Sequence, residues 1–116
     1  LVYLRKAKIA LGRDTVENEE ISVIKKERAI IYIKKGQYKM ALELLNQVTK
    51  FYERNAFSKE LANLYLQTGF ALVESDNFEA ALKNYFKVLN ISDEDHYQLE
   101  RCKALIQIGR IYHFLN

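Results

Sequence analysis

The chain has 116 residues, of which 49% are apolar and 28% are charged, and its net charge is +3. This length corresponds to at most one domain, and this composition excludes a disordered or low-complexity chain. The absence of proline, the 4 glycines and the single cysteine favour helices over strands and exclude a disulfide framework or a cysteine-based zinc site.

The first predicted elements are two helices of unequal length. A short helix with one apolar stripe is predicted over residues 1–12. A longer helix is predicted to begin at Asp14, which has capping-box spacing to Glu17. It is predicted to end at Gly36, because glycine suits the left-handed conformation that closes a helix. The next helix is predicted over residues 38–54.

Three further helices follow in the second half of the chain. Ser58 is a candidate N-cap for a helix whose core stripe is Leu61, Leu64, Tyr65, Thr68 and Leu72. Asp76 and Asn77 are predicted to form a tight turn before a helix over residues 78–91. Ser92 and the acidic run at 93–95 indicate a helix N-terminus, because carboxylates suit the positive end of a helix dipole, so a last helix is predicted from there to the chain end.

The dominant pattern is an internal repeat with a period of 40 residues. The small residues Ala29, Gly69 and Gly109 align in one register, and we expect neighbouring helices to approach closely at all of them. Tyr32, Leu72 and Tyr112 align one turn later and are expected to supply bulk to the packing. Other positions align in the same register: Tyr38 with Phe78, Ala41 with Ala81, and Val48 with Val88. Each unit therefore reads as two helices, and the units are expected to stack on one another.

These repeats resemble the tetratricopeptide repeat. The run that carries the resemblance best is Gly69, Leu72, Asp76-Asn77-Phe78-Glu79-Ala80-Ala81-Leu82, Tyr85 and Val88-Leu89; the earlier run is Ala29, Tyr32, Gly36-Gln37-Tyr38, Ala41-Leu42, Leu45 and Val48. Residues 14–54 and 57–91 form one repeat each. Residues 93–116 resemble the first helix of another, and residues 1–12 resemble the second helix of a preceding one.

The chain departs from the family pattern in its period and in two residue types. Tetratricopeptide repeats usually have a period of about 34 residues, and their customary Trp and Pro are absent here. Longer repeats without Pro are similar to those of bacterial regulators that sense signalling peptides, and to those of kinesin light chains. The resemblance implies an all-α fold over residues 1–116, a superhelix of antiparallel helix pairs. We interpret the chain as a fragment of a longer protein.

The resemblance also implies a binding site on the concave face, which the first helix of each pair lines. The candidate residues share that face, where Ile106 also lies: Lys26, Ile30, Ile33, Lys34, Asn63, Leu66, Gln67, Phe70, Val73, Glu74, Lys103, Gln107, Arg110, His113 and Phe114. The side-chain amides among them can bond a peptide backbone through both N–H and C=O. The alternative is that these apolar side chains are covered by neighbouring helices.

We expect a binding module and not an enzyme, because the chain has no phosphate-binding glycine loop, no nucleophile motif and no metal-ligand spacing. No cofactor and no metal are expected. The expected function is the sensor or interaction domain of a bacterial transcriptional regulator that binds a short signalling peptide. A generic assembly scaffold is one alternative. Nucleic-acid binding through the basic N-terminal half is another, although its basic residues are not densely clustered.

Self-association is a second expected kind of contact, because no polar helix covers the terminal helices of the repeat array. The last helix, with Ile108, Ile111, Tyr112 and Leu115, has no second helix of its own. The chain lacks a run of about 20 apolar residues that could cross a membrane. Together with the single cysteine, this pattern predicts a cytoplasmic protein without membrane contacts. Cys102 itself is expected to be a small buried or half-buried residue.

Overall fold

The computed structural model describes residues 18–55, 58–93 and 95–115, and within these ranges it contains helices and no strand. The chain is all-α, as predicted. The short helix predicted over residues 1–12 and the capping box of Asp14 and Glu17 lie outside the described residues. The helices are α1 Glu19–Lys34, α2 Tyr38–Asn55, α3 Ser58–Glu74, α4 Phe78–Ile91 and α5 Gln98–Leu115.

Helix α1 begins later than the sequence pattern predicts. Asn18, and not Asp14, is its N-cap: the Asn18 side chain accepts a hydrogen bond from the Ile21 N–H at 2.9 Å. Glu19 and Glu20 then occupy the first turn, where carboxylates favour the positive end of the helix dipole.

The helices pack in chain order as two hairpins. The most extensive contacts are those of α1 with α2 and of α3 with α4; α2 also packs on α3, and α4 on α5. One apolar core runs through all five helices, and its largest fully buried side chains include Leu45, Leu64 and Tyr85. Because α3 also contacts α5, the first helices of the second and third units lie side by side.

The turn between α1 and α2 is closed by Gly36, as predicted. Gly36 has a φ of +76°, which places it in the left-handed region that favours glycine. Its N–H donates to the Ile33 carbonyl at 3.0 Å, and the Gln37 N–H donates to the Tyr32 carbonyl at 2.8 Å. This pair of hydrogen bonds is the Schellman motif, which satisfies carbonyls that the helix end leaves free.

The turn between α3 and α4 repeats this geometry 40 residues later. The Asp76 N–H donates to the Val73 carbonyl at 2.9 Å, and the Asn77 N–H donates to the Leu72 carbonyl at 2.8 Å. Asp76 has a φ of 62° and therefore takes the place of Gly36 without being glycine. The repeat thus extends from side-chain register to backbone hydrogen bonding.

We expect Asp76→Gly to stabilise the protein by up to about 1 kcal/mol, because a side chain in the left-handed region is strained and glycine is not. Gly36→Asp is the matched control. No atom lies within 4 Å of the position of its new Cβ, so the substitution introduces backbone strain alone and is expected to cost a similar amount. Urea unfolding of both variants measures the two changes in the free energy of unfolding. Changes of the same sign would contradict the conclusion that Gly36 and Asp76 share a left-handed backbone conformation.

The last helix also begins later than predicted, at Gln98, because Asp93 makes local hydrogen bonds to Asp95 and His96 that are not helical. The Asp93 carboxylate accepts hydrogen bonds from the N–H groups of Asp95 and His96, both at 2.8 Å. These hydrogen bonds, with that of the His96 side chain, hold the pKa of Asp93 below its usual value. Arg101 joins α5 to the end of α4 by donating to the carbonyls of Leu89 and Ser92, at 3.3 and 3.1 Å.

Three further predictions for α5 are wrong. Gly109 was predicted to mark a close helix contact, but it is exposed, and an added Cβ would meet no atom within 4 Å. Tyr112 was predicted to supply packing bulk and is 47% exposed. Cys102 was predicted to be at least half-buried and is exposed. No described helix packs on this side of α5, whereas α2 and α4 cover the equivalent sides of α1 and α3.

In the ranges that the structure describes, none of the helices is long and apolar enough to cross a membrane.

Candidate functional site

A groove with a cavity of about 600 Å³ lies across α1, α3 and α5. This volume is within the range of about 300–1,000 Å³ that is usual for ligand sites. The first helix of each unit contributes side chains to it, as the repeat resemblance implies for a concave face. Its lining residues are Ile30, Ile33, Lys34, Asn63, Leu66, Gln67, Phe70, Tyr85, Lys103, Ile106, Gln107 and Arg110.

A second cavity, of about 480 Å³, continues the groove towards the turn between α3 and α4. The two cavities share Phe70, Gln107 and Arg110. The second one is additionally lined by Val73, Glu74, Asp76, Phe78, Ile111 and Phe114. The rings of Phe78 and Phe114 lie 5.2 Å apart at their centroids, so an aromatic pair forms one wall.

The structure brings most of the sequence-predicted site residues together around these two cavities. Lys26 and His113 are the exceptions: Lys26 is half-buried, His113 is exposed, and neither lines a cavity. Tyr85, Phe78 and Ile111 line the groove although the candidate set did not include them. Tyr85 and Phe78 belong to the apolar stripe of α4, so periodicity assigned them to packing. Ile111 was predicted to lie on the uncovered face of the last helix, but it is buried.

Phe70 occupies the centre of the groove, where it lines both cavities. Its side chain is 44% exposed. The sequence pattern left open whether this residue is covered by neighbouring helices. The exposed ring shows that it is not, within the part of the chain that is described. A large exposed apolar side chain at the centre of a concave surface is available to a ligand.

The groove is basic at one end and acidic at the other. Lys34 of α1 and Lys103 and Arg110 of α5 line the larger cavity, and none of the described carboxylates lines it. Glu74 and Asp76 line the smaller cavity. The Glu74 carboxylate accepts a hydrogen bond from the Tyr38 hydroxyl at the long distance of 3.5 Å.

Tyr85 lies between α4 and α3 and reaches the wall of the groove. An added Cβ on Gly69 would stand 2.6 Å from the Cε1 and Cζ atoms of Tyr85. The tyrosine ring therefore fills the space that the absent side chain of Gly69 leaves. The residue is only 1% exposed, and this burial raises the pKa of Tyr85 to about 12. Its hydroxyl consequently stays protonated, and able to donate, at neutral pH.

Polar contacts elsewhere in the bundle are structural. The Tyr65 hydroxyl donates to the Glu53 carboxylate at 2.6 Å, and the Lys87 ammonium lies 5.3 Å from the centre of the Tyr65 ring. Burial, followed by this contact with Glu53, raises the pKa of Tyr65. Among the described residues, no group of three or more His, Cys, Asp or Glu side chains is placed to hold a metal ion.

Comparison with known proteins adds no relative: no family model matches the chain, and neither the curated proteins nor the solved structures contain a match.

Proposed function

We propose that this chain is a peptide-binding module with tetratricopeptide-like repeats, and that an extended peptide occupies the groove across α1, α3 and α5. The observation that carries the proposal is the exposed Phe70 ring at the centre of a concave surface built from three helices. On the sequence resemblance, we further propose that the module is the sensor domain of a cytoplasmic bacterial regulator of transcription.

The composition of the groove supports a peptide over a small apolar ligand. Asn63, Gln67 and Gln107 line it beside apolar side chains. Each amide carries donors and an acceptor, so each can bond the N–H and C=O groups of an extended backbone. An extended peptide has no internal backbone hydrogen bonds of its own and needs such partners when it leaves water.

We expect Phe70→Ala to weaken peptide binding about thirtyfold, which corresponds to the ~2 kcal/mol or more that a central aromatic anchor typically contributes. The fold should persist, because the Phe70 ring is nearly half exposed. Isothermal titration with a peptide selected from a display library measures the affinity, and thermal melting measures the stability.

The matched control for this prediction is Phe86→Ala. Phe86 is the same residue type with nearly the same exposure, 42% against 44%, but it lies on α4 and lines neither cavity. Equal affinity losses in the two variants would contradict the proposed site. A library that yields no peptide dependent on Phe70 would favour a generic assembly scaffold instead.

The regulatory part of the proposal has a separate test. In the parent protein, the selected peptide should change the affinity for operator DNA. The Phe70→Ala variant should lose this response while retaining its DNA affinity in the absence of peptide. If the peptide does not change the DNA affinity of the parent protein, the regulatory part of the proposal is contradicted. The chain would then remain a peptide-binding module without a regulatory role.

We also propose that the protein self-associates through the outer side of α5. Leu105 and Tyr112 are 48% and 47% exposed there, and Gly109 between them leaves a hollow without a neighbour. The equivalent hollow at Gly69 is filled by Tyr85 of α4. A bulky side chain of a second copy can occupy Gly109 in the same way.

Sedimentation at increasing concentration tests this association. We expect dimers in the parent chain and a dissociation constant at least about tenfold higher in Tyr112→Ala, because an interface centre depends on a few aromatic anchors. Ile31→Ala serves as the control, since Ile31 is similarly exposed, at 51%, but lies on α1. A monomer at high concentration would contradict the proposal.

A further inference from the structure

The cations at the groove have no ionic partners. In the part of the chain that the structure describes, Lys34, Lys103 and Arg110 have no carboxylate within ion-pair distance. Surface cations on a folded protein are commonly interspersed with carboxylates, and this chain has nearly equal numbers of the two, 18 against 15. Three cations and none of the described carboxylates line the larger cavity, and such a set of charges favours a negatively charged ligand at this end of the groove.

The three cations lie at the rim of the groove, while the apolar side chains form its floor. Lys34, Lys103 and Arg110 are exposed, whereas Ile33 is buried and Leu66 is half-buried. A ligand therefore meets apolar surface below and positive charge above. In an extended peptide, successive side chains point to opposite sides. Alternation of apolar and acidic residues matches this arrangement.

The hydroxyl of Tyr85 is a second, independent indication of the missing partner. Tyr85 lines the same cavity and is 1% exposed, yet its hydroxyl has no hydrogen-bond partner among the described residues. No side-chain oxygen that is fully closed off from solvent lacks a partner there, so the Tyr85 hydroxyl keeps some accessible surface, and the residue lines the cavity. An accessible hydroxyl without an acceptor of its own can donate a hydrogen bond to a ligand oxygen.

We propose that the groove selects extended peptides in which acidic side chains alternate with apolar ones, and that a ligand oxygen accepts a hydrogen bond from Tyr85. The apolar side chains contact the floor around Phe70, and the carboxylates lie beside Lys34, Lys103 and Arg110. This inference rests on the proposed function, and it adds the charge of the ligand and one specific donor.

The first experiment selects peptides without assuming their sequence. A random heptapeptide library is panned against the protein, and the clones are sorted by whether Phe70→Ala abolishes their binding. Among the dependent clones we expect Asp and Glu to exceed Lys and Arg. Dependent clones without this excess would overturn the charge inference and leave the proposed function intact. An absence of dependent clones would overturn both.

The second experiment uses probes that differ only in charge. Fluorescent heptapeptides alternate leucine with glutamate, glutamine or lysine, and all are amidated at the C-terminus; a fourth probe repeats the glutamine sequence with a free carboxylate. We expect the glutamate probe to bind at least about tenfold more tightly than the lysine probe, with the glutamine probe between them. The free-carboxylate probe separates recognition of side chains from recognition of the peptide end. Binding by that probe alone would overturn the inference.

Reversing the charge of groove residues tests whether the preference for acidic peptides arises in the groove. The double variant Lys103→Glu, Arg110→Glu should reverse the order of the glutamate and lysine probes. Lys83→Glu is the control, because Lys83 is an exposed cation of α4 that lines neither cavity. It should leave the order unchanged. An unchanged order in the double variant, or an equal change in the control, would overturn the assignment to the groove.

Tyr85→Phe tests the hydroxyl alone. Phenylalanine keeps the ring that packs against Gly69 and removes a hydroxyl without a partner, so the melting temperature should not fall. The affinity for the glutamate probe should fall at least about threefold, as expected for the loss of one net hydrogen bond. Unchanged affinity with unchanged stability would remove Tyr85 from the site.

Discussion

Gly69→Leu is expected to destabilise the protein by about 3 kcal/mol or more, the upper part of the range for overpacked cores. A Cβ at residue 69 would stand 2.6 Å from two ring atoms of Tyr85, closer than carbon atoms pack without displacement. Tyr85 is almost completely buried and cannot swing into solvent. In a domain of this size the loss corresponds to a fall in melting temperature of about 12 °C or more.

Gly109→Leu is the control for this prediction, and its effect should have the opposite sign. Gly109 lies 40 residues later in the same register, but nothing stands within 4 Å of its Cβ position. Replacing a glycine within a helix by leucine removes an unfavourable helix propensity of about 1 kcal/mol. Melting curves at low protein concentration compare the two variants without interference from association. Equal losses would contradict the described α3–α4 contact.

Leu45→Ala is expected to cost about 2–5 kcal/mol, because Leu45 is fully buried in the shared core and its truncation leaves a cavity. Leu105→Ala makes the same chemical change at a side chain that is 48% exposed. Its cost should stay below about 1 kcal/mol. Urea unfolding at low concentration gives both values. Similar losses would show that α5 has a covering partner in solution.

The repeat made the central part of the fold predictable. Residues of α2, α3 and α4 follow the period of 40, and turn-forming residues stand at Gly36, Asp76 and Asn77. The repeat and the turn residues therefore predicted the same helix boundaries. The beginning of α1 was not predicted. The capping-box spacing of Asp14 and Glu17 indicated an earlier start, whereas Asn18 is the N-cap whose side chain accepts a hydrogen bond from the first turn.

The beginning of α5 and the role of Gly109 depended on information that a pattern does not contain. An acidic run can begin a helix or stabilise a turn. Asp93 stabilises a turn, because its carboxylate accepts hydrogen bonds from two nearby N–H groups. Small residues in register indicate a close contact only where a helix lies opposite. For Gly69 that helix is α4, and for Gly109 no described helix is there.

The candidate site was predictable in outline but not in its polar detail. The face that the first helices share was apparent from their periodicity, which placed Phe70 and Arg110 on it. Tyr85 was assigned to the core stripe of α4. Its position at the groove depends on Gly69 of another helix, and a pattern within one helix does not show such a gap.

The order of helix contacts has a consequence for how the chain opens. Helix α3 packs on α2, α4 and α5, whereas the main described contact of α1 is with α2. Opening of α1 therefore exposes one interface, while opening of α3 exposes three. Amide hydrogen exchange should accordingly be slowest in α3 and fastest towards the outer helices, as in chains with nearest-neighbour cooperativity. A ligand that bridges α1, α3 and α5 would slow exchange most in the outer helices α1 and α5, which have fewer described contacts than α3.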